Sequence, residues 1–347
     1  MESEEIMTKM TINLGERSYP ILIGKRLLSS AKELLNISGK ALILTDSGVP
    51  RQYAQAVLES LGGGRIYTVP EGEGSKSLSV LEGVLSAAAD MRLSRKDAIV
   101  AVGGGVVGDL GGFAAAVYMR GIKFYNIPTT MLSMVDSSIG GKTAVNLGGA
   151  KNIVGAFHQP CGVLIDTDTL ATLEKRHISA GLCEAVKMAA TSDAELFSYF
   201  ETASLEQISD EVEKVIYSAL SIKKAVVEED EKEAGLRKIL NLGHTIGHGI
   251  EAERHGALYH GECVALGMLA VVSDGVKARL MPIFEKLGLP TEYDGDIDVA
   301  LEFASQDKKA DGSKIEMVFV DEVGKFRLEK VDANGMAELA RVAYSKK

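Results

Sequence analysis

Short apolar runs alternate with amphipathic stretches through the first half of the chain. Lys40–Asp46 is apolar until it ends in a polar turn, as a buried parallel strand does. Residues 50–61 follow with helical spacing and are closed by Gly62-Gly63-Gly64. Arg65–Pro70 reads as a second strand, and 77–91 as a helix with Leu78, Leu81, Val84, Leu85 and Ala88 on one face. Ala98–Val102 is a third strand that runs directly into glycines, and Phe124–Pro128 and Val163–Asp166 continue the series. The pattern predicts an α/β domain with a mainly parallel sheet and ligands at the carboxyl ends of its strands. Beyond about residue 170 the pattern becomes helical, over 177–191, 193–201, 209–229, 244–254 and 261–279. Only Ile315–Val320 and Phe326–Leu328 read as strands there, a hairpin joined by Asp321–Lys325. Two domains follow: 1–170, α/β and nucleotide-binding, and 171–347, mostly α-helical and metal- and substrate-binding.

Composition narrows the class. A chain of 347 residues exceeds one ordinary core, which agrees with two domains. The formal charge of −10 argues against a nucleic-acid binder, which needs a basic face, but leaves room for a local basic pocket. Ala98–Met119 is the most apolar stretch, but its six glycines and Asp109 make it a buried strand–turn–helix rather than a membrane span. The acidic start Met1-Glu2-Ser3-Glu4-Glu5 lacks the pattern of a signal peptide. Cys161, Cys183 and Cys263 form no disulfide framework, so reduced thiols and a cytoplasmic location are expected.

Gly103-Gly-Gly-Val-Val-Gly108 follows a strand and opens a helix, which suits a pyrophosphate at the helix N-terminus. No acidic residue stands about twenty positions downstream, where a ribose-reading acid usually lies. The acid is upstream instead, Asp46 at the end of the earlier strand. Ser138–Thr143 imitates the end of a P-loop, yet its first glycine position holds Asp136, so the ATPase reading fails. Four of the six histidines fall between 244 and 260. His244 and His248 share one helical face and His260 follows, a plausible cation site; for a carboxylate ligand Glu184, Glu251 and Glu262 all compete.

Taken together the motifs resemble the 3-dehydroquinate synthase family. They include Pro70-Glu-Gly-Glu73-x-x-Lys76, Gly103–Asp109, Tyr118-Met-Arg120-Gly121, Pro128-Thr129-Thr130, Val135–Asn146 and Gly149-x-Lys151-Asn152. The second half adds Glu184-Ala-Val-Lys187, Asn241-x-Gly-His244-x-x-Gly-His248-x-x-Glu251 and His260-Gly-Glu262. The resemblance implies two domains with the active site in their cleft, and a lyase of the shikimate pathway of aromatic amino acid biosynthesis. Its substrate would be a phosphorylated sugar acid, 3-deoxy-arabino-heptulosonate 7-phosphate. Transient oxidation by NAD, phosphate elimination, re-reduction and aldol cyclisation would give 3-dehydroquinate. It further implies zinc or cobalt on Glu184, His244 and His260, which makes His248 a substrate or water contact. NAD positions carried over are Asp46, Glu73, Lys76, Gly103, Gly104, Gly105, Asp109, Thr129 and Thr130, with Asp136, Lys142, Lys151 and Thr172. Substrate positions are Arg120, Asp136, Lys142, Lys151, Asn152, Lys187, Lys223, Arg237, Asn241 and His248, with Lys308 or Lys309 for the phosphate. The basic members supply the cations that a carboxylate and a phosphate need within an acidic protein. A homodimer is expected, with no membrane partner. Rival readings are another sugar-phosphate cyclase or a metal- and NAD-dependent polyol dehydrogenase.

Overall fold

Residues 41–44 and 98–102 are apolar throughout because both faces of their sheet are covered. The computed structural model describes residues 7–233, 235–306 and 314–344, and the chain divides into two compact units, Met1–Leu173 and Glu174–Lys347.

The first unit runs β1 (Thr8–Ile12), β2 (Tyr19–Gly24), α1 (Ala31–Leu34), β3 (Ala41–Asp46), α2 (Arg51–Leu61), β4 (Arg65–Val69), α3 (Leu78–Asp90) and β5 (Ala98–Gly103). It continues with α4 (Gly105–Val117), β6 (Lys123–Pro128), β7 (Lys142–Leu147), β8 (Ala150–Phe157) and β9 (Val163–Asp166). Seven strands form one sheet in the order β1-β2-β9-β6-β5-β3-β4. All neighbours are parallel except β1 with β2. Alternate residues feed opposite cores. Ile43, Val100 and Val102 pack with Tyr53, Ala54, Val57 and Leu61 of α2. Leu42, Leu44, Ile99 and Ala101 pack with Leu81, Val84 and Ala88 of α3 and Val107, Leu110 and Phe113 of α4. The chain thus crosses from β3 outward to β4 over one face, then returns over the other to β5 and on to β6. Right-handed crossovers require that change of face when the direction reverses.

Helix α4 lies close on the sheet. A Cβ on Gly111 would come within 3.1 Å of Ala101 Cβ, and one on Gly112 would collide with the Thr143 methyl and approach Phe124 Cε1 to 3.1 Å. With Gly105 and Gly108, four of its 13 residues are glycine.

Two pairings go beyond the sequence reading. β1 and β2 extend the sheet, and β7 and β8 form a separate hairpin. The signal for the hairpin is Gly148-Gly149, with φ of 61° and 85°, the left-handed pair that a tight two-residue turn needs.

The second unit runs α5 (Lys175–Ser192), α6 (Ala194–Thr202), α7 (Leu205–Asp210), α8 (Val212–Glu229), α9 (His244–Glu253), α10 (His260–Leu269), α11 (Asp274–Leu287), α12 (Ile297–Gln306), the hairpin β10 (Ile315–Glu322) and β11 (Lys325–Val331), and α13 (Ala333–Tyr344). A single helix over 261–279 is not what forms: the chain leaves α10 after Leu269. Val272 bridges to Val320, Ser273 N–H donates to Val320 O at 3.1 Å, and Ser273 Oγ accepts from Val276 N at 3.3 Å to start α11. The 209–229 reading likewise divides at Glu211, after α7 closes behind a Ser204–Gln207 capping box. Among the described residues no helix is long and apolar enough to cross a membrane.

Candidate active site

In the first unit β3 and β5 are neighbours whose outgoing connections take opposite faces, the kind of place where open α/β sheets bind ligands. Asp46 ends β3 and Gly103 ends β5. The upstream acid therefore stands beside the glycine loop in space. Its Oδ1 accepts from Gly48 N at 2.9 Å and Val49 N at 3.1 Å. Burial nonetheless raises its pKa above the ordinary value, aided by nearby Glu71.

Gly104 precedes α4 in an extended conformation with no side chain capping the helix, so the first amides of α4 keep their donors for a ligand. Thr129 N–H donates to Gly103 O at 3.0 Å, and the Thr130 methyl lies 3.0 Å from where a Gly104 Cβ would be. Lys76 is 5 % exposed and ties its own segment to two others. Its Nζ meets Asp109 Oδ2 at 2.6 Å, the Asn152 side-chain carbonyl, and Glu73 Oε1 at 3.7 Å. Asn146, to which the sequence reading assigned no role, ties this group together. It donates to Glu73 Oε1 at 2.8 Å and accepts from Asn152 N at 2.8 Å.

Thr172 Oγ1 lies 2.8 Å from the hydroxyl of Tyr53 on α2. Asp136 sits on a π-helical turn, Ser133–Ser137, a widened turn that often marks functional sites. Lys142 opens β7 and lines a small pocket with Asp109, Asn126, Ser138 and His158. Lys151 is exposed on β8. Arg120 is not brought to this group. It precedes β6 at the amino edge of the sheet, where Arg95 Nε donates to Met119 O at 3.3 Å. The strand between that edge and the carboxyl edge spans roughly 17–20 Å. Arg120 is exposed, and it and Met119 form a strained pair with φ of 67° and 49°.

The second unit gathers its candidates around one buried carboxylate. Glu184 on α5 is fully buried, with Oε2 2.5 Å from Lys187 Nζ. Its Oε1 lies 3.5 Å from His260 Nε2 and 3.8 Å from His244 Nε2. The rear nitrogens are engaged elsewhere: His244 Nδ1 contacts Leu242 O at 3.2 Å, and His260 Nδ1 contacts Glu251 Oε2 at 3.0 Å. A carbonyl or carboxylate can only accept, so each Nδ1 carries a proton. The Nε2 atoms face Glu184, giving a two-nitrogen, one-oxygen donor set of the kind zinc or cobalt takes. The residues fit a divalent cation. His248 is the exposed member, and one nitrogen from each of the three histidines lies within 4.8 Å of the others.

Charge agrees with that fit. Burial would raise the Glu184 carboxyl, but Lys187 and then the two histidines hold it well below the usual range. Burial, reinforced by Lys187, pushes His244 down to about 3, so its ring is neutral. Burial opposes a charge on His260 also, yet Glu184 and Glu251 draw it up to about 9. A cation bound there would displace that proton, because a ligating imidazole must be neutral.

Geometry also separates the three competing carboxylates. Glu184 faces the imidazoles, Glu251 orients His260 from behind, and Glu262 is bound by Arg176 at 2.7 Å through each oxygen. Nearby elements carry three buried cations, Lys187 on α5, Lys223 on α8 and Arg237 in the 236–241 turn, at 1 %, 5 % and 2 % exposure. Asn241 ends that turn, its Nδ2 3.3 Å from Glu233 Oε1. Lys308 and Lys309 lie outside the described residues.

The chain is similar to known proteins in both halves. The 3-dehydroquinate synthase N-terminal family model matches residues 66–180 and the C-terminal model 181–310. The chain is 42 % identical over 353 residues to 3-dehydroquinate synthase of Streptococcus sanguinis, covering 96 % of this chain and 99 % of that one. It is 42 % identical to the 3-dehydroquinate synthase of Thermoanaerobacter pseudethanolicus, with 94 % and 97 % covered. Among solved structures, 2-deoxy-scyllo-inosose synthase with carbaglucose-6-phosphate, NAD+ and Co2+ superposes with a TM-score of 0.88 at 28 % identity, covering 96 % and 100 %. The 2-epi-5-epi-valiolone synthase of Streptomyces hygroscopicus, with NAD+ and Zn2+, gives 0.84 at 26 %, covering 95 % and 98 %. Two family models spanning most of the chain and near-full-length identity above 40 % place this chain in the 3-dehydroquinate synthase family.

Proposed function

We propose that this chain eliminates phosphate from 3-deoxy-arabino-heptulosonate 7-phosphate and closes the product to 3-dehydroquinate, using NAD and a divalent metal, zinc or cobalt. The Glu184–His244–His260 donor set, its carboxylate fully buried, beside three buried cations carries the reading. Relatives named for this activity and two cyclases solved with NAD+ and Co2+ or Zn2+ support it.

Bound NAD supplies a reversible hydride acceptor and the bound metal a Lewis acid that acidifies hydroxyls and polarises a ketone. Glu184, His244 and His260 would hold the metal. Asp46 would accept from ribose hydroxyls, and Gly103, Gly104 and Gly105 at the start of α4 would receive the pyrophosphate beside Thr129 and Thr130. Lys76, held in place by Glu73 and Asp109, would offer its ammonium as a donor on that side. Asp136, Lys142, Lys151 and Thr172 complete the nucleotide set. Lys187, Lys223 and Arg237, already desolvated, bind an anionic substrate without the cost of stripping water at that moment. Asn152 and Asn241 orient its hydroxyls. His248, exposed beside the donor set, exchanges a proton with substrate or a bound water.

The enzyme is proposed to act as a homodimer, in which Arg120 at the amino edge of one sheet serves a second copy. A cytoplasmic location suits its three free cysteines. The deciding assay measures phosphate release from the heptulosonate phosphate alongside absorbance of NADH. Stoichiometric phosphate with no net NADH is expected. Accumulating NADH would make it a polyol dehydrogenase, and turnover of glucose 6-phosphate instead would make it a different cyclase.

A further inference from the structure

His260 is the first residue of α10, and a helix end needs more fixing than a helix middle. Tyr259, just before it, donates its backbone N–H to Glu262 Oε2 at 2.7 Å. Glu262 is 5 % exposed and takes Arg176 Nε on Oε1 and Nη2 on Oε2, each at 2.7 Å. Arg176 Nη2 also donates to Ala257 O at 2.8 Å, inside the connection from α9. The same guanidinium lies 4.3 Å from the Tyr259 ring centroid, and His177 stacks on that ring at 4.3 Å and 12°.

Arg176 and His177 open α5, and Glu184 stands about two turns further along the same helix. One turn before Glu184, the Ala180 carbonyl occupies the place that a Cβ on Gly261 would need. Two contacts thus lock the first turn of α10 onto α5: a forked ion pair at Arg176 and a bare backbone approach at Gly261. The groups they bring into register are Glu184 and His260, whose facing atoms are 3.5 Å apart.

We propose that Arg176 and Glu262 are a positioning pair that sets the Glu184–His260 spacing, and through it the affinity and ligand geometry of the divalent cation. The proposal rests on the reading that Glu184, His244 and His260 hold that cation. Neither member of the pair touches the ligand nitrogens. Their effect is transmitted through the N-terminal turn of α10, where a bidentate guanidinium fixes both distance and angle and a single ammonium cannot.

The test adds cobalt(II) to metal-free full-length protein and follows both chelator competition and the visible absorption of the bound ion. R176Q and E262Q should bind cobalt about ten- to a hundredfold more weakly, the range for groups that orient a ligand. Their cobalt absorption band should shift, while NAD affinity on the same samples stays at the wild-type value. R176K, which keeps the charge but loses the fork, should fall between. The R176Q/E262Q double variant, free of an unpaired buried carboxylate, should lose no more affinity than the worse single change.

Wild-type cobalt affinity and an unshifted band in R176Q and E262Q would overturn the proposal even if both variants melt earlier, because a merely structural pair predicts that result. Should either single variant fail to fold, R176K and the double variant decide by the same two readouts. Wild-type protein that binds no cobalt would remove the metal assignment and the proposal together, an outcome distinct from weakness confined to the variants.

Discussion

Replacing Lys187 by methionine keeps the volume of the side chain and removes its charge. Lys187 and Glu184 are 1 % and 0 % exposed, and their charged atoms are 2.5 Å apart. Leaving one partner of such a buried pair uncompensated costs about 3–5 kcal/mol. In a unit of this size each kcal/mol moves the melting temperature by about 2–4 °C, so metal-free Lys187→Met should melt roughly 6–20 °C lower. Cobalt bound at the proposed site would face the same carboxylate and take over the lost compensation. The penalty in cobalt-saturated protein should then be clearly smaller. Reciprocity turns the difference into affinity: each ~1.4 kcal/mol by which the penalty shrinks is tenfold tighter cobalt binding in the variant. Thermal unfolding with and without cobalt, together with a direct cobalt titration, measures both sides of that cycle. An equal loss in both forms, with unchanged cobalt affinity, would show that the cation does not bind at Glu184.

Three further outcomes are expected. With Glu184, His244 and His260 as the three proposed ligands, His248→Asn should keep its cobalt near wild-type stoichiometry while turnover falls sharply; metal analysis beside the phosphate assay checks this. Gly112→Ala should cost about 1–3 kcal/mol in urea unfolding, because its Cβ would strike Thr143 and crowd Phe124 beneath α4. Asp97 accepts from Lys40 N at 2.7 Å and from Ser94 N and Oγ at 2.6 and 2.8 Å, and although burial opposes it these bonds lower its pKa. Its contribution is present above the unfolded carboxyl value near ~4 and fades as pH falls through the lowered folded value. Asp97→Ala should therefore be destabilised at pH 7 by about 1–3 kcal/mol, with the gap to wild type closing below about pH 4 in acid titrations of unfolding.

The strands β3, β5, β6 and β9 were legible because a parallel strand covered on both faces is apolar throughout. The hairpin of β7 and β8 was not, since β8 is largely exposed and shows no alternation, and its turn glycines were the one available signal. The break after Leu269 leaves no local signal, because Val272 departs from the helix for a bridge to Val320, 48 positions away and invisible to local periodicity. Asp46 could be matched with the glycine loop because strand ends are readable, even when their neighbours are not. The choice among Glu184, Glu251 and Glu262 depended on which helices touch. No spacing within a single helix carries that information.

Helix α4 has a consequence for motion. Each glycine inside a helix forfeits about 1 kcal/mol of intrinsic preference relative to alanine, so four among 13 residues leave α4 unable to hold itself together in isolation. Eight of its residues are buried against the sheet, and that docking is what keeps it helical. Its amides should therefore show no private, low-energy opening. Hydrogen exchange from α4 should proceed at the pace of the central strands and stop when they stop. The turn that would grip a pyrophosphate is then only as rigid as the whole sheet behind it, and a destabilising change as distant as the far end of β5 would reach the cofactor through cooperativity alone.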